Sequence, residues 1–161
     1  MVKKIIRCAA LIAAIGVMVM IFMFSAGDAE KSSETSGRVT DMVLTITVKG
    51  YKNMTVDERL QIRQQVDPII RKVAHFSEFA MLGFTLFVFF ATFDLKAVMY
   101  IVLPSAVSAV YAVSDEIHQI FVDGRGPGVI DVLIDTSGAV FAVAVTFLIY
   151  RMLFSNRHKT S

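Results

Sequence analysis

The residues of this sequence that could take part in catalysis or ligand binding are acids and histidines at helical spacing. His75 and Glu78 are three residues apart, and Asp131 and Asp135 are four apart, so each pair would share one face of a helix. A third group stands between them and consists of Asp115, Glu116, His118 and Gln119. Carboxylates beside an imidazole can act as general acid and base when burial separates their pKa values.

Arg125 adds a positive charge to these groups. It lies in the stretch DGRGPG at 123–128, whose glycines and proline predict a tight loop. A guanidinium binds carboxylates and phosphates through its planar fork. Arg125 is therefore predicted either to hold an anionic head group or to clamp Asp131 or Glu116 and fix the loop against the helices.

The charged residues stand in a strongly apolar chain. Of its 161 residues, 55% are hydrophobic and 19% are charged, the net charge is +2 and the mean hydropathy is +0.64. This composition argues against a disordered, collagen-like or nucleic-acid-binding protein. The single cysteine, Cys8, excludes an internal disulfide and a cysteine-based zinc site.

Four apolar blocks predict four transmembrane helices, over about 5–24, 73–93, 97–113 and 129–150. The third block, with about 17 residues, is at the lower limit for crossing a hydrocarbon layer of about 30 Å. An open sheet would leave unsatisfied edges in lipid. The predicted fold class is therefore all-α, an integral membrane bundle of four transmembrane helices. A cleaved signal peptide is the alternative for the first block, although its apolar run is longer than usual.

Small residues four positions apart predict where these helices approach closely, because they let two backbones come together. The pairs are Ala9 with Ala13, Ser108 with Ala112, and Gly138 with Ala142. Close packing at such positions would bring the polar groups of neighbouring helices together.

Basic residues stand at the start of the first apolar block and after the end of the last. They are Lys3, Lys4, Arg7, Arg151, Arg157 and Lys159. By the positive-inside rule, both termini are predicted to be cytoplasmic and the segment 25–72 extracytoplasmic. The candidate polar residues would then meet at the extracytoplasmic face.

The segment 25–72 has its own local signals. Ser, Glu, Thr and Gly at 32–37 predict a soluble linker, and the apolar run 42–48 fits a strand or a helix. Thr55 with Glu58 predicts a capping box at a helix start. Asp67 followed by Pro68 predicts a new N-cap and the first residue of the second membrane helix.

Three stretches together resemble the VanZ-like family of small bacterial membrane proteins: RKVAHFSEFAMLGF, YAVSDEIHQIFVDGRGPG and DVLIDTSGAV. The earlier FSAGDAEKSSETSGRV is also similar to the segment after that family's first span. The resemblance implies a single VanZ-like domain over 1–161 in the bacterial cell membrane. The family's founding member gives low-level resistance to teicoplanin, which implies a role in the cell envelope without naming a reaction.

The family pattern, carried over by position, marks eight candidate site residues: His75, Glu78, Asp115, Glu116, Gln119, Arg125, Asp131 and Asp135. In an envelope-modifying enzyme the catalytic candidates would be His75, Glu78, Asp115, Glu116 and Asp135. The binding candidates would be Gln119, Arg125 and Asp131. The expected partner is a membrane lipid or a lipid-linked envelope component.

Two other uses of the same residues stay open. The protein could bind such a lipid, or a lipid-bearing antibiotic, without altering it, or the polar cluster could only lock the helix bundle. No cofactor is predicted, but a divalent metal held by His75, Glu78, Asp115 and His118 is an alternative, because paired carboxylates and histidines on facing helices bind such ions.

Overall fold

Five α-helices and one short 3-10 helix make up the computed structural model, which describes residues 1–27, 29–122 and 128–154. The α-helices are α1 (Val2–Ser25), α2 (Ala29–Thr47), α3 (Val56–Phe90), α4 (Met99–Gln119) and α5 (Val129–Phe154), with the 3-10 helix at Tyr51–Asn53. The described residues contain no strand, so the all-α prediction is confirmed.

Helix α3 is the centre of the bundle and contacts each of the other four α-helices. The core contains Phe79, Leu82 and Leu86 of α3 with Ala14, Val17 and Ile21 of α1, Ala112 of α4 and Ala139 of α5. Large apolar side chains such as Ile12, Val110 and Leu148 face outward. Outward apolar surface on every long helix is what a lipid environment requires.

Three of the described helices are long and apolar enough to cross a membrane: Val2–Ser25, Val56–Phe90 and Val129–Leu153. Helix α4, which covers the predicted third span at 97–113 from Met99 onward, is not one of them. It continues to Gln119, so Asp115 and Glu116 lie inside its last two turns and lower its apolar character. The predicted four transmembrane helices are therefore confirmed only as an all-helical fold with three candidate spans.

The start of α3 confirms one local prediction and overturns another. Glu58 N–H donates to Thr55 Oγ1 at 3.3 Å, and Thr55 N–H donates to Glu58 Oε2 at 2.8 Å, which is the predicted capping box. The predicted helix start at Pro68 is wrong, because Pro68 lies inside the 35-residue α3. Asp67 does not act as a cap there; its carboxylate accepts a hydrogen bond from Thr40 of α2.

Helix α2 replaces the linker predicted at 32–37 and excludes the strand alternative for 42–48. Gly37, Thr40 and Leu44 are buried at helical spacing on the side that packs against α3. Tertiary packing on α3 thus overrides the weak helix propensity of this polar stretch.

Asp41 ties the remainder of this segment together. Tyr51 Oη donates to Asp41 Oδ1 at 2.6 Å, and Arg63 Nη1 lies 3.4 Å from Asp41 Oδ2. Burial, and then the hydrogen bond to the Asp41 carboxylate, raises the pKa of Tyr51 above its usual value. The segment between the first two candidate spans is therefore a packed helical unit.

Glycines bring α3 and α5 into backbone contact. A Cβ on Gly83 would lie 2.5 Å from the carbonyl oxygen of Ala139, and one on Gly138 would overlap the carbonyl oxygen of Phe76. The close-packing prediction is thus confirmed for Gly138. Ser108 and Ala112 are also buried, as predicted.

The predicted small-residue pair in α1 is wrong by one position. Ala9 and Ala13 are exposed, whereas Ala10 and Ala14 are buried. The helix is rotated by about one residue from the predicted phase because its packing stripe runs through Val17 and Ile21.

One end of the bundle, called the Arg7 end, is held by an arginine of α1. Arg7 Nε donates to Thr92 Oγ1 at 3.0 Å, and Nη2 donates to the Thr92 carbonyl oxygen at 3.0 Å. The guanidinium carbon lies 3.8 Å from the ring centroid of Phe93. Arg7 therefore joins the start of α1 to the chain just beyond α3.

Arg7→Lys is expected to lower the free energy of unfolding by about 1–2 kcal/mol, because an ammonium group cannot reproduce the two-bond fork or stack as well on the ring. Denaturant titration of the full chain in mixed micelles measures the change. The exposed Lys4→Ala at the same end is the control and should leave stability unchanged. Equal stability of Arg7→Lys and the wild type would contradict the assigned role.

Candidate functional site

Asp115 is the centre of a buried polar network at the end of the bundle opposite Arg7, here called the Asp115 end. It lies in the last two turns of α4 and is only 3% exposed. Its Oδ2 accepts hydrogen bonds from Ser25 Oγ at 2.8 Å and from Gln119 Nε2 at 2.9 Å. These contacts tie the last residue of α1 to α4 and orient the Asp115 carboxylate.

His75 of α3 and Asp135 of α5 approach the same carboxylate. One nitrogen of His75 and one carboxylate oxygen each of Asp115 and Asp135 all lie within 4.8 Å of one another. These three residues are called the His75 cluster below. Side chains from three helices thus converge on one point, although they are separated by up to 60 positions in the sequence.

The glycine contact between α3 and α5 explains this convergence. Gly138 is one helical turn after Asp135 and packs on the backbone of Phe76, the neighbour of His75. Because Gly138 has no side chain, the two backbones can meet there. This contact brings Asp135, one turn before Gly138, towards His75, the residue before Phe76. The separation of His75 from Asp135 therefore depends on Gly138.

Glu78 lies beside the cluster on the same face of α3. The distance between His75 Nδ1 and Glu78 Oε2 is 3.8 Å, and both side chains are largely buried. This distance suits an ion pair when the imidazole is protonated but is too long for a hydrogen bond between these two atoms. A small side-chain movement or one water would allow proton transfer between them.

Two carboxylate oxygens of the cluster are buried and accept no hydrogen bond from the described part of the chain: Asp115 Oδ1 and Asp135 Oδ1. Asp135 is, like Asp115, only 3% exposed. An unsatisfied buried acceptor costs about 1–3 kcal/mol, and more when it is charged. The two oxygens therefore favour a ligand that donates hydrogen bonds or carries positive charge.

Three further candidates lie near the His75 cluster without belonging to it. Glu116 is buried, and its Oε1 accepts from the N–H of Gly128 just before α5. Asp131 is partly exposed, with Oδ1 3.4 Å from Lys72 Nζ. Gln119 is buried and reaches Asp115, whereas Arg125 lies outside the described residues.

The sequence suggested His75, Glu78, Asp115 and His118 as possible metal ligands. The fold instead brings together His75, Asp115 and Asp135. His118 does not join His75 and Asp115; its ring packs on Phe22 of α1, with the centroids 4.5 Å apart. Asp135 takes its place among the converging side chains. Residue spacing allows either Asp135 or His118 to lie beside Asp115, and helix packing places Asp135 there.

Ser25 belongs to the same polar network but is not among the eight candidates predicted from the sequence. It is fully buried and is the last residue of α1. The sequence feature that could have indicated it is a small hydroxyl residue at the end of an apolar span. Its hydrogen bond to Asp115, ninety positions away, is a tertiary contact that local sequence does not show.

The electrostatics of the Asp115 end are dominated by acids. Among the described residues, four carboxyl groups lie close together and largely buried: Glu78, Asp115, Glu116 and Asp135. In that part of the chain no lysine or arginine forms a salt bridge with Asp115, Glu116 or Asp135, and Lys72 pairs with Asp131. The arrangement can transfer protons or bind a cation or a hydrogen-bond donor.

A model of one protein family, described as VanZ/LLP1, matches residues 10–152 of the chain. The match includes all eight candidate site residues. No curated protein and no solved structure matches the chain at a significant level.

Proposed function

Because the chain belongs to the VanZ/LLP1 family, we propose that this membrane protein binds the head group of an envelope lipid or lipid-linked precursor at its Asp115 end. It would do so as a multi-pass protein of the bacterial cell membrane with both termini in the cytoplasm. The observation that carries the proposal is the pair of buried oxygens, Asp115 Oδ1 and Asp135 Oδ1, without a partner in the described residues.

Membrane crossing by α4 as a fourth helix is supported by its contacts at both ends. Near its start, the ring of Tyr100 packs on Tyr150 of α5 with centroids 5.8 Å apart. Near its end, Asp115 is bonded to Ser25 at the end of α1. With 21 residues it is about 31 Å long, which matches a hydrocarbon layer of about 30 Å.

The orientation is supported by charge. Lys3, Lys4 and Arg7 lie at the Arg7 end, and a basic end favours the cytoplasmic side. The 35-residue α3, about 52 Å long, exceeds the hydrocarbon thickness, so its first turns and the packed α2 fit outside the membrane. The Asp115 end then belongs to the extracytoplasmic leaflet.

The depth of the site suits a lipid head group. His75 is about 22 Å along the α3 axis from Phe90, where the helix ends, which is near the far boundary of a layer about 30 Å thick. A head group in the outer leaflet can reach this level without leaving the membrane. Ionisable groups at such a position are costly unless they serve a site.

The recognition chemistry follows from the acids. Carboxylate oxygens accept hydrogen bonds from the hydroxyl groups of a sugar or from an amine. Arg125, assigned from the sequence, would bind a phosphate through its guanidinium fork. An effect on susceptibility to teicoplanin would follow if this binding altered access to a wall precursor.

Catalysis on the bound lipid is the second candidate, and the adjacency of His75 and Glu78 favours it. Glu78 or Asp135 would act as the base, and His75 would carry the proton. A third use, in which the polar cluster only holds the helices together, does not explain why Asp115 Oδ1 and Asp135 Oδ1 accept no hydrogen bond from the described residues.

The binding proposal is tested with the full chain in nanodiscs and a lipid-linked wall precursor or a phospholipid as the probe. Native mass spectrometry should show a saturable complex with one of them, weakened at least about tenfold by Asp115→Leu. The exposed Asp94→Asn at the opposite end is the control. Binding by Asp115→Leu at wild-type strength, with either lipid, would contradict the proposal.

Analysis of the recovered lipid separates an enzyme from a binder. An enzyme releases a chemically altered head group, and Glu78→Gln should slow that conversion. A binder returns its ligand unchanged at saturation. Full conversion by Glu78→Gln would remove Glu78 as the base while leaving lipid binding intact.

A further inference from the structure

The His75 cluster also has the composition of a metal site. We propose that His75, Asp115 and Asp135 together bind one divalent transition-metal ion. One imidazole nitrogen and two carboxylate oxygens are offered from three different helices. This inference goes beyond lipid binding, because an ion can occupy the cluster whether or not a head group is present.

The distances between the three ligand atoms are close to what one ion needs. Bonds of about 2.1 Å put two ligands of a tetrahedral ion about 3.4 Å apart. The three atoms are already within 4.8 Å of one another. The longest separation would have to shorten by up to about 1.4 Å, which movements of about 0.7 Å by each of two side chains would supply.

The state of the two carboxylates is an independent observation in favour of an ion. Each side chain is only 3% exposed, and the Oδ1 atom of each accepts no hydrogen bond from the described residues. On Asp115, the hydrogen bonds from Ser25 and Gln119 both go to Oδ2. They orient the carboxylate and leave Oδ1 for the ion, as supporting hydrogen bonds do around metal ligands.

Charge balance also favours a divalent ion. Asp115 and Asp135 have no salt bridge with a lysine or arginine of the described chain. Two buried carboxylates beside a neutral imidazole would be neutralised by one doubly charged cation. The imidazole ligand favours Zn²⁺ over Mg²⁺ or Ca²⁺, and the two carboxylates also suit Mn²⁺.

The proposal gives the site a specific chemical capacity. Three protein ligands leave at least one coordination position for water or for an oxygen of a bound lipid. Ser25 and Gln119 are positioning residues, since they act through Asp115. Their role differs from that of His118, which packs on an aromatic ring.

The test uses the full chain in nanodiscs of phosphatidylcholine, stripped with chelator, with Zn²⁺ and Mn²⁺ alone as probes. Equilibrium dialysis with elemental analysis should show about one ion per chain. Asp135→Asn and His75→Ala should each weaken binding at least about tenfold. Asp94→Asn, an exposed acid at the Arg7 end, should bind as the wild type does.

A measurement on the wild-type chain keeps the test independent of whether the variants fold. Co²⁺ should give visible absorption bands of nitrogen and oxygen coordination, and added Zn²⁺ should remove them. Less than a tenth of an equivalent of Zn²⁺ and of Mn²⁺ bound at 100-fold excess, or unchanged binding by both variants, would overturn the proposal. Because the phosphatidylcholine is the same in every sample and no envelope precursor is present, a difference in metal binding does not depend on recognition of that precursor.

Discussion

Replacing Gly138 by valine is expected to destabilise the bundle by about 2–3 kcal/mol and to disrupt the site at the same time. Even the first side-chain carbon would overlap the Phe76 carbonyl oxygen and lie 3.0 Å from the Phe76 carbonyl carbon. These are backbone atoms, so α3 and α5 must separate to admit it. The loss is measured by denaturant titration in mixed micelles and by the amount of protein recovered from membranes.

Gly16 of α1 offers a matched control within a membrane helix. A Cβ at Gly16 meets nothing within 4 Å. Gly16→Ala should therefore be neutral or stabilise by up to about 1 kcal/mol, because alanine is the better helix former. If Gly138→Val is as stable as Gly16→Ala, the close contact between α3 and α5 is not what holds the bundle together.

The same substitution links packing to the site. Separation of α3 from α5 would move His75 away from Asp135, so binding by the His75 cluster should fall even in molecules that remain folded. Gly83→Ala acts on the same helix pair, with a Cβ 2.5 Å from the Ala139 carbonyl oxygen. It lies farther from the cluster and is expected to affect stability more than binding.

Local sequence signals predicted those parts of the fold that local physics decides. The capping box at Thr55 and the start of the last helix at Val129 depend on neighbouring residues, and both are observed. The helix start predicted at Pro68 is wrong because α3 continues through Pro68, and the Asp67 carboxylate accepts a hydrogen bond from Thr40 of α2 instead of capping a helix. Helix α2 likewise forms on the surface of α3, against the preference of its polar residues.

Most residues of the candidate site could be predicted from the sequence, but Ser25 and the arrangement of the side chains could not. Periodicity placed His75 near Glu78, and the polar groups on the ends of three helices. Periodicity could not show whether Asp135 or His118 lies with His75 and Asp115, because that depends on which neighbouring helix each side chain contacts. Gly138 lets α5 approach α3 closely, and Phe22 packs on the ring of His118. Both are contacts between helices, which residue spacing within one helix does not predict.

Asp135→Asn is expected to stabilise the protein while it weakens ligand binding, a pair of opposite effects that separates a functional site from a purely structural network. In the described residues, Asp135 Oδ1 is buried without a hydrogen bond. Holding an acid in this buried position among other acids is costly, so the neutral amide should raise the free energy of unfolding by about 1–3 kcal/mol in chelator-treated protein. Binding of lipid or metal should fall at least about tenfold, because the amide offers a weaker, neutral ligand.

Asp41→Asn is the matched comparison, since the Asp41 carboxylate is fully engaged by Tyr51 and Arg63 outside the candidate spans. It should lower stability by about 1 kcal/mol and leave ligand binding unchanged. A network that only locks the helices predicts the same sign for both variants, because each acid would then be held by partners. Loss of stability in Asp135→Asn as well as in Asp41→Asn would therefore support the structural role and contradict the functional one.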